Sequence, residues 1–295
     1  MNQLFLIICL LFTMSITNAL TYRGFLLKYQ KQYDPKRVEI YYQNLLLIRK
    51  HNSQNHSYQL GVNQFADLTA DEFRQQYLTE ITNKGLLDGT VEYIGKAPKS
   101  VDWRKKGAVT AVKDQGKSQC SWAFSSTGAM ESLIYLKTGE LYNLSEREMI
   151  YYQPHKGGFA YLGFMYAMNN GLQKEGCHTN CNINGITGWH YVPNNDQTSL
   201  ELALTSQPVS VAIYASVSTI QFYSSGIYDD PDCLTYKDQL DHMVLAVGYG
   251  TNEDGNYWII KNSWGITWGD QGYIYLRRGH GANICGVMSQ PSVPM

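Results

Sequence analysis

After Pro208 the chain breaks into short apolar runs: Val209-Ser210-Val211-Ala212-Ile213, Met243-Val244-Leu245-Ala246-Val247, Tyr257-Trp258-Ile259-Ile260 and Tyr273-Ile274-Tyr275-Leu276. Glycine-rich turns separate them, and runs of this kind read as strands. The preceding half has a different period. Between Ser121 and Lys137, the residues Trp122, Phe124, Ala129, Leu133 and Leu136 fall near helical spacing. A helical half followed by a strand-rich half sets an α+β chain with two packed lobes. At 295 residues the chain is long enough to bury a substantial core. Its formal net charge of -1 offers no handle for nucleic acid or an anionic membrane.

The first residues carry an apolar run from Leu4 to Met14, then Thr17-Asn18-Ala19. The run is too short to span a bilayer, and the small residues fit a cleavage site, so residues 1–19 read as a secretory signal. A secretory route permits disulfides. Removal of the signal takes Cys9 and leaves Cys120, Cys177, Cys181, Cys233 and Cys285, an odd set with at least one unpaired thiol. Cys177 and Cys181, four apart, are close enough to pair or to bind a metal together.

From about residue 20 to 85 the composition is charged and helix-forming. Tyr33, Arg37, Tyr41, Asn44, Ile48 and Asn52 recur at spacings that place them on one face of a long helix. Tyr58 to Asp67 alternates like a short strand ending in a turn, and Thr69-Ala70-Asp71-Glu72-Phe73 reads as a capped helix start. Between Thr82 and Lys99, Gly85, Gly89, Gly95 and Pro98 with little periodicity mark an exposed linker.

Several motifs agree in order and spacing. Val101-Asp102-Trp103-Arg104, Lys113-Asp114-Gln115-Gly116, Trp122-Ala123-Phe124, Leu144-Ser145-Glu146, Leu240-Asp241-His242, Lys261-Asn262-Ser263-Trp264-Gly265 and Trp268-Gly269 closely resemble the mature domain of papain-like, cathepsin L-like cysteine peptidases. In that family a cysteine precedes its histidine and asparagine by about 130–150 residues. The earlier segment resembles the family's inhibitory propeptide, on Arg37, Tyr41, Asn44, Ile48 and Asn52 and then Gly61, Asn63, Phe65 and Asp67. The resemblance implies a signal over 1–19, an inhibitory propeptide over 20–96 and a peptidase domain over 97–295. It implies a helical left lobe and an antiparallel β-barrel right lobe. The implied protein is a monomeric zymogen of the lysosome, vacuole or extracellular space. It would act on a peptide or protein substrate, be inhibited by its own propeptide, and need no cofactor, metal, nucleic acid or membrane.

By the same resemblance His242 is the base, and Asn262 accepts or donates a hydrogen bond that fixes its ring. Trp264 covers that bond, and Gln115 gives its amide to the oxyanion, with a backbone N–H at position 121 as second donor. Gly157-Gly158 matches the ledge that binds extended substrate, and Cys233 and Cys285 stand where the family places a bridge.

At the nucleophile the pattern breaks. The family's run is Gln-Gly-x-Cys-Gly-Ser-Cys-Trp; here it is Gln115-Gly116-Lys117-Ser118-Gln119-Cys120-Ser121-Trp122. Ser118 takes the place of the first cysteine and Ser121 that of the nucleophile. Moving Cys120 onto the nucleophile needs a deletion before it and an insertion after it. On a helix, neighbouring residues differ by about 100°, so a site facing residue 121 does not face residue 120. The usual bridge partner of the first cysteine is replaced by His155, and another usual cysteine by Tyr152. Two functions therefore stand: a cysteine-type endopeptidase weakened or silenced by Ser121, and a pseudopeptidase that binds peptide or protein in a retained cleft.

Overall fold

The computed structural model describes residues 21–79, 91–152, 158–177, 181–279 and 283–295. The expected signal, part of the linker, His155 and Gly157 lie outside the described residues.

The segment expected to be a propeptide, the prosegment below, folds as α1 (Tyr22–Lys28), α2 (Pro35–Asn52), β1 (Tyr58–Leu60) and α3 (Ala70–Tyr77). Asp34 caps α2 by accepting from the Lys36 N–H, and Pro35 takes the first helical position, where its missing donor costs nothing. Tyr33 is thereby left outside the helix and 69% exposed. This corrects the expectation that it shares the face of Tyr41 and Ile48. The other face residues act as read. Asn44 Nδ2 donates to the carbonyls of Ala66 and Leu68, each at 2.9 Å. Asn52 exchanges two bonds with the Leu60 backbone, at 2.8 and 2.9 Å. Arg37 pairs with Glu72. At α3 a full capping box forms between Thr69 and Glu72.

The remaining chain supplies β2 (Val101–Asp102), α4 (Ser121–Thr138), α5 (Arg147–Tyr152), α6 (Ala160–Asn170), β3 (Leu172–Gln173), β4 (Asn182–Ile183) and β5 (Trp189–Tyr191). Then come α7 (Gln197–Ser206), β6 (Val209–Ile213), α8 (Ser218–Gln221), β7 (Tyr223–Tyr228), β8 (His242–Asn252), β9 (Gly255–Lys261), β10 (Tyr273–Arg277) and β11 (Ser292–Pro294). α4 is buried on nearly every face, which is why its apolar residues form no narrow stripe. It packs on β8, β6 and α6, and Gly139 in the left-handed region ends it.

The main sheet runs β1-β7-β10-β9-β8-β6-β11-β5, with β2 also on β8. Its pairs are antiparallel except β7–β10, where Tyr275 lies opposite Ile227 in parallel. The two-lobe fold with its antiparallel right-lobe sheet is as expected, and this one pair within it is parallel. The chain leaves β7, runs through the antiparallel β8 and β9, and returns in β10 in the original sense.

The prosegment contributes the edge strand of this sheet: β1 pairs with β7, Tyr58 opposite Gly226. Gly226 has φ +85°, and a Cβ there would lie 2.4 Å from the Ser57 carbonyl oxygen. Only glycine lets the strand seat so closely.

Cys233 is bonded to Cys285, and Cys177 to Cys181, so the latter two pair with each other instead of holding a metal. Cys120 is the free thiol among the described residues. Among them no three His, Cys, Asp or Glu converge as a metal site, and no helix is long and apolar enough to cross a membrane.

Candidate active site

The site lies where the start of α4 meets the start of β8 and the end of β9. Ser121 opens α4, His242 opens β8, and Asn262 follows β9. Strand register sets the right-hand wall: Ile213 of β6 is opposite His242, and Leu245 is opposite Lys261. Asn262 is thereby brought beside the imidazole, and its Oδ1 lies 2.7 Å from His242 Nε2. The same oxygen accepts from the Ser263 N–H at 2.7 Å, so the amide is held with its oxygen toward the ring. Nε2 must then be the protonated nitrogen of a neutral imidazole. The other nitrogen, Nδ1, is buried with no hydrogen-bond partner.

Trp264 covers this pair, its ring 4.4 Å from the imidazole at 26°. Phe65 and Phe73 of the prosegment meet Trp264 edge-on at 5.7 and 5.1 Å. The result is a dry imidazole: His242 is fully buried, and burial pulls its pKa down to about 4 against the supporting bond from Asn262. The stability this neutral ring provides is present above its ordinary value of 6.5 and lost as pH falls through about 4. The shift corresponds to about 3 kcal/mol. NMR titration of the full chain is expected to place the His242 midpoint near 4, with a matching loss of stability over that interval. A midpoint at 6 or above would show the ring to be solvated.

Ser121 is buried, and its Oγ accepts from the Met243 N–H at 3.1 Å. The hydroxyl is thus hydrogen-bonded to the backbone next to His242, with no bond to the imidazole itself. Cys120 takes the N-cap position without a side-chain capping bond. Its thiol pKa is raised by burial, only partly offset by a hydrogen bond with Ser118. A nucleophilic cysteine needs the opposite shift.

Gln115 sits in the loop before α4. Its Oε1 accepts from Ser263 Oγ at 2.6 Å, which aims Nε2 toward the cleft. Both of its N–H groups are engaged, by the Ser118 carbonyl at 2.7 Å and by Tyr77 of the prosegment at 3.2 Å. The prosegment then continues across the site. Thr79 N donates to the Asp241 carbonyl at 2.9 Å and its Oγ1 to the Gln119 carbonyl at 3.0 Å. Gly158 is half-buried, and a Cβ there would lie 2.8 Å from Leu162 Cδ1 and 3.3 Å from Trp122. Its backbone therefore lies directly against the start of α4.

The structure thus brings Gln115, Ser121, His242, Asn262 and Trp264 together. Sequence reasoning passed over three contributors: the Met243 N–H, Ser263 as the residue that orients Gln115, and Asp241. The Asp241 carboxylate accepts from Ala215 N and Ser216 Oγ, and burial raises its pKa to about 6. Asp241 and Ser263 both lie inside quoted motifs, whereas a backbone N–H leaves no residue signal.

The comparisons agree with this architecture. Residues 97–295 match the papain family cysteine protease family, and residues 22–73 match the cathepsin propeptide inhibitor domain (I29). The chain belongs to the papain family of cysteine peptidases and carries its own propeptide inhibitor domain. A cathepsin L-like peptidase of Aedes aegypti is 41% identical over 93% of this chain and 92% of its own. Chymopapain of Carica papaya is 39% identical over 92% of this chain and 85% of its own. The proform of the ragweed pollen cysteine protease Amb a 11 superposes with a TM-score of 0.84 at 34% identity, covering 93% of each chain. Digestive procathepsin L2 of Tenebrio molitor does so with a TM-score of 0.84 at 32% identity, covering 93% of this chain and 98% of its own.

Proposed function

We propose that this chain is a papain-family pseudopeptidase: a zymogen-like protein whose cleft binds peptide main chain and hydrolyses it weakly or not at all. One observation carries the reading. Ser121 Oγ is held by the Met243 N–H while His242 Nδ1 has no partner, so nucleophile and base are not joined. In papain the thiol pKa falls to about 3–4 beside its histidine, and the resting pair is thiolate and imidazolium. A hydroxyl cannot form that pair, and His242, pulled down to about 4, is neutral at pH 7. The shorter oxygen also sits back from a carbonyl placed for sulfur, and misplacement by about 1 Å can cost on the order of 100-fold.

A second reading, slow serine-type hydrolysis, is favoured by the same neutral imidazole, which is the correct form for a general base. The Gln115, His242 and Asn262 wall supports retention of the cleft in both cases. A monomer on the secretory route, ending in lysosome, vacuole or extracellular space, fits the company of cathepsin L-like relatives.

The test uses protein freed of its prosegment, exposed to a thiol-reactive peptidyl epoxide and to peptide substrates. The expected result is no adduct at Cys120 and turnover near background. An adduct at Cys120 accompanied by turnover would overturn the reading. Turnover abolished by Ser121→Ala would establish the serine mechanism.

A further inference from the structure

An α-helix ends with carbonyls that have no partner within the helix, and it carries partial negative charge there. In the prosegment, α3 ends at Tyr77 immediately before the chain enters the cleft. Leu78 N bonds back to the Arg74 carbonyl. The carbonyls of Gln75 and Tyr77 are satisfied from outside. Gln119 Nε2 donates to the Gln75 carbonyl at 2.9 Å, and Gln115 Nε2 donates to the Tyr77 carbonyl at 3.2 Å. The two donors lie four residues apart in the loop before α4. Gln119 also offers its own carbonyl to Thr79 Oγ1 at 3.0 Å, just beyond the helix end.

Position 119 is where the family's run has glycine, which brings no side-chain donor. Gln115 is common to that run, so with glycine at 119 this loop offers the helix end one side-chain donor. The second glutamine makes this a fork that spans two helix-end carbonyls.

We infer that Gln115 and Gln119 together form a receptor for the carboxyl end of a helix, with the chain's own Ala70–Thr79 segment as its resident ligand, and that Gln119 adds a second side-chain anchor for that helix end beside Gln115. The inference deepens the binding reading above and takes its meaning from it. The neutral amides suit this task. Each donates to a carbonyl without burying a net charge, and the Gln119 carbonyl takes the first hydroxyl past the helix. The ligand class is therefore a helix terminus followed by an extended Leu-Thr step, not a peptide extended throughout. While the segment is docked, the Gln115 amide has no N–H left for a substrate oxyanion.

Hydrogen exchange on the full chain tests this at the Leu78 and Thr79 amides. Gln119→Gly is expected to speed their exchange about three- to tenfold, the effect of losing one net hydrogen bond. Gln119→Glu, which sets an acceptor against the Gln75 carbonyl, should speed it at least as much. Exchange in α2 and α4 should stay at the wild-type rate, since neither helix touches residue 119 through this contact. Rates at Leu78 and Thr79 within twofold of wild type in both variants would overturn the inference. An equal acceleration in α2 and α4 would overturn it too, because it would mark a general loss of stability. The exchange readout does not depend on whether Ser121 hydrolyses peptides, so the inference and the pseudopeptidase reading fail separately.

Discussion

Ser121→Cys, freed of its prosegment, is expected to form an adduct with a peptidyl epoxide at residue 121 and to hydrolyse peptides at least about 100-fold faster than wild type. The parts that a thiol needs are in place. Residue 121 opens the buried helix α4, so a thiolate there gains from the dipole of that helix. Asn262 already fixes the imidazole with Nδ1 bare and buried, and Ser263 already aims Gln115. What is missing is a group acidic enough to pass its proton to that nitrogen. A thiolate beside the ring would stabilise the imidazolium, so the His242 midpoint should rise from about 4 in the same variant. The two titrations then belong to the pair and not to either residue. A variant that stays inert to the epoxide, with His242 still titrating near 4, would locate the defect elsewhere in the cleft. The exchange of Ser118, His155 and Tyr152 for the family's cysteines would then be the place to look.

The parts of this molecule that sequence made legible are those in which one face or one terminus decides. The run Val209–Ile213 appears unchanged as β6, and the helix read from Ser121 to Lys137 extends by one residue to Thr138. Thr69 and Glu72 announce α3 because a capping box is a local device. Tyr33 misled because periodicity ignores what starts a helix, and Asp34-Pro35 starts α2 after it. The parallel β7–β10 pair and the seating of β1 on β7 were hidden for a different reason. Each joins segments far apart in the chain, and alternation says which face a strand buries but not which strand lies beside it.

The same division runs through the site. Gln115, His242 and Asn262 were readable because each role demands a particular side chain in a recognisable run. The Met243 N–H that holds Ser121 is backbone, and any residue but proline would supply it. Gln119 was visible as a departure from glycine, but its reach to the Gln75 carbonyl depends on where the prosegment helix ends.

Glu131→Gln is expected to destabilise the protein by about 3–5 kcal/mol, the range for breaking a buried ion pair from one side. Glu131 lies on α4 and is 1% exposed. Its Oε1 accepts from Lys113 Nζ at 2.9 Å and from the Leu144 N–H at 2.8 Å, and its Oε2 from Thr110 Oγ1 at 2.6 Å. Lys113 Nζ also reaches Glu146 at 2.6 Å, and Lys261 Nζ reaches Thr110 Oγ1 at 3.0 Å. The carboxylate therefore joins the loop that leads to Gln115, the helix that opens with Ser121 and the strand that ends beside Asn262. Burial, with a smaller push from the Lys113 charge, draws Lys261 down to about 8 against the pull of Glu131 and, more weakly, Glu146. Its folded pKa lies below its ordinary 10.5, so the folded state gains stability as pH climbs from about 8 toward that value. Loss of Glu131 should move this window to lower pH. Urea melts should then show the largest deficit of Glu131→Gln below pH 8 and a smaller one at pH 9. Adding Lys261→Met to the variant removes the buried lysine left without Glu131, whereas Lys113 keeps Glu146, and should recover part of the loss, as coupled groups require. A deficit that is flat in pH and simply adds to that of Lys261→Met would mean that the cluster is only packed, and that the carboxylate does not hold Lys261 in its charged form.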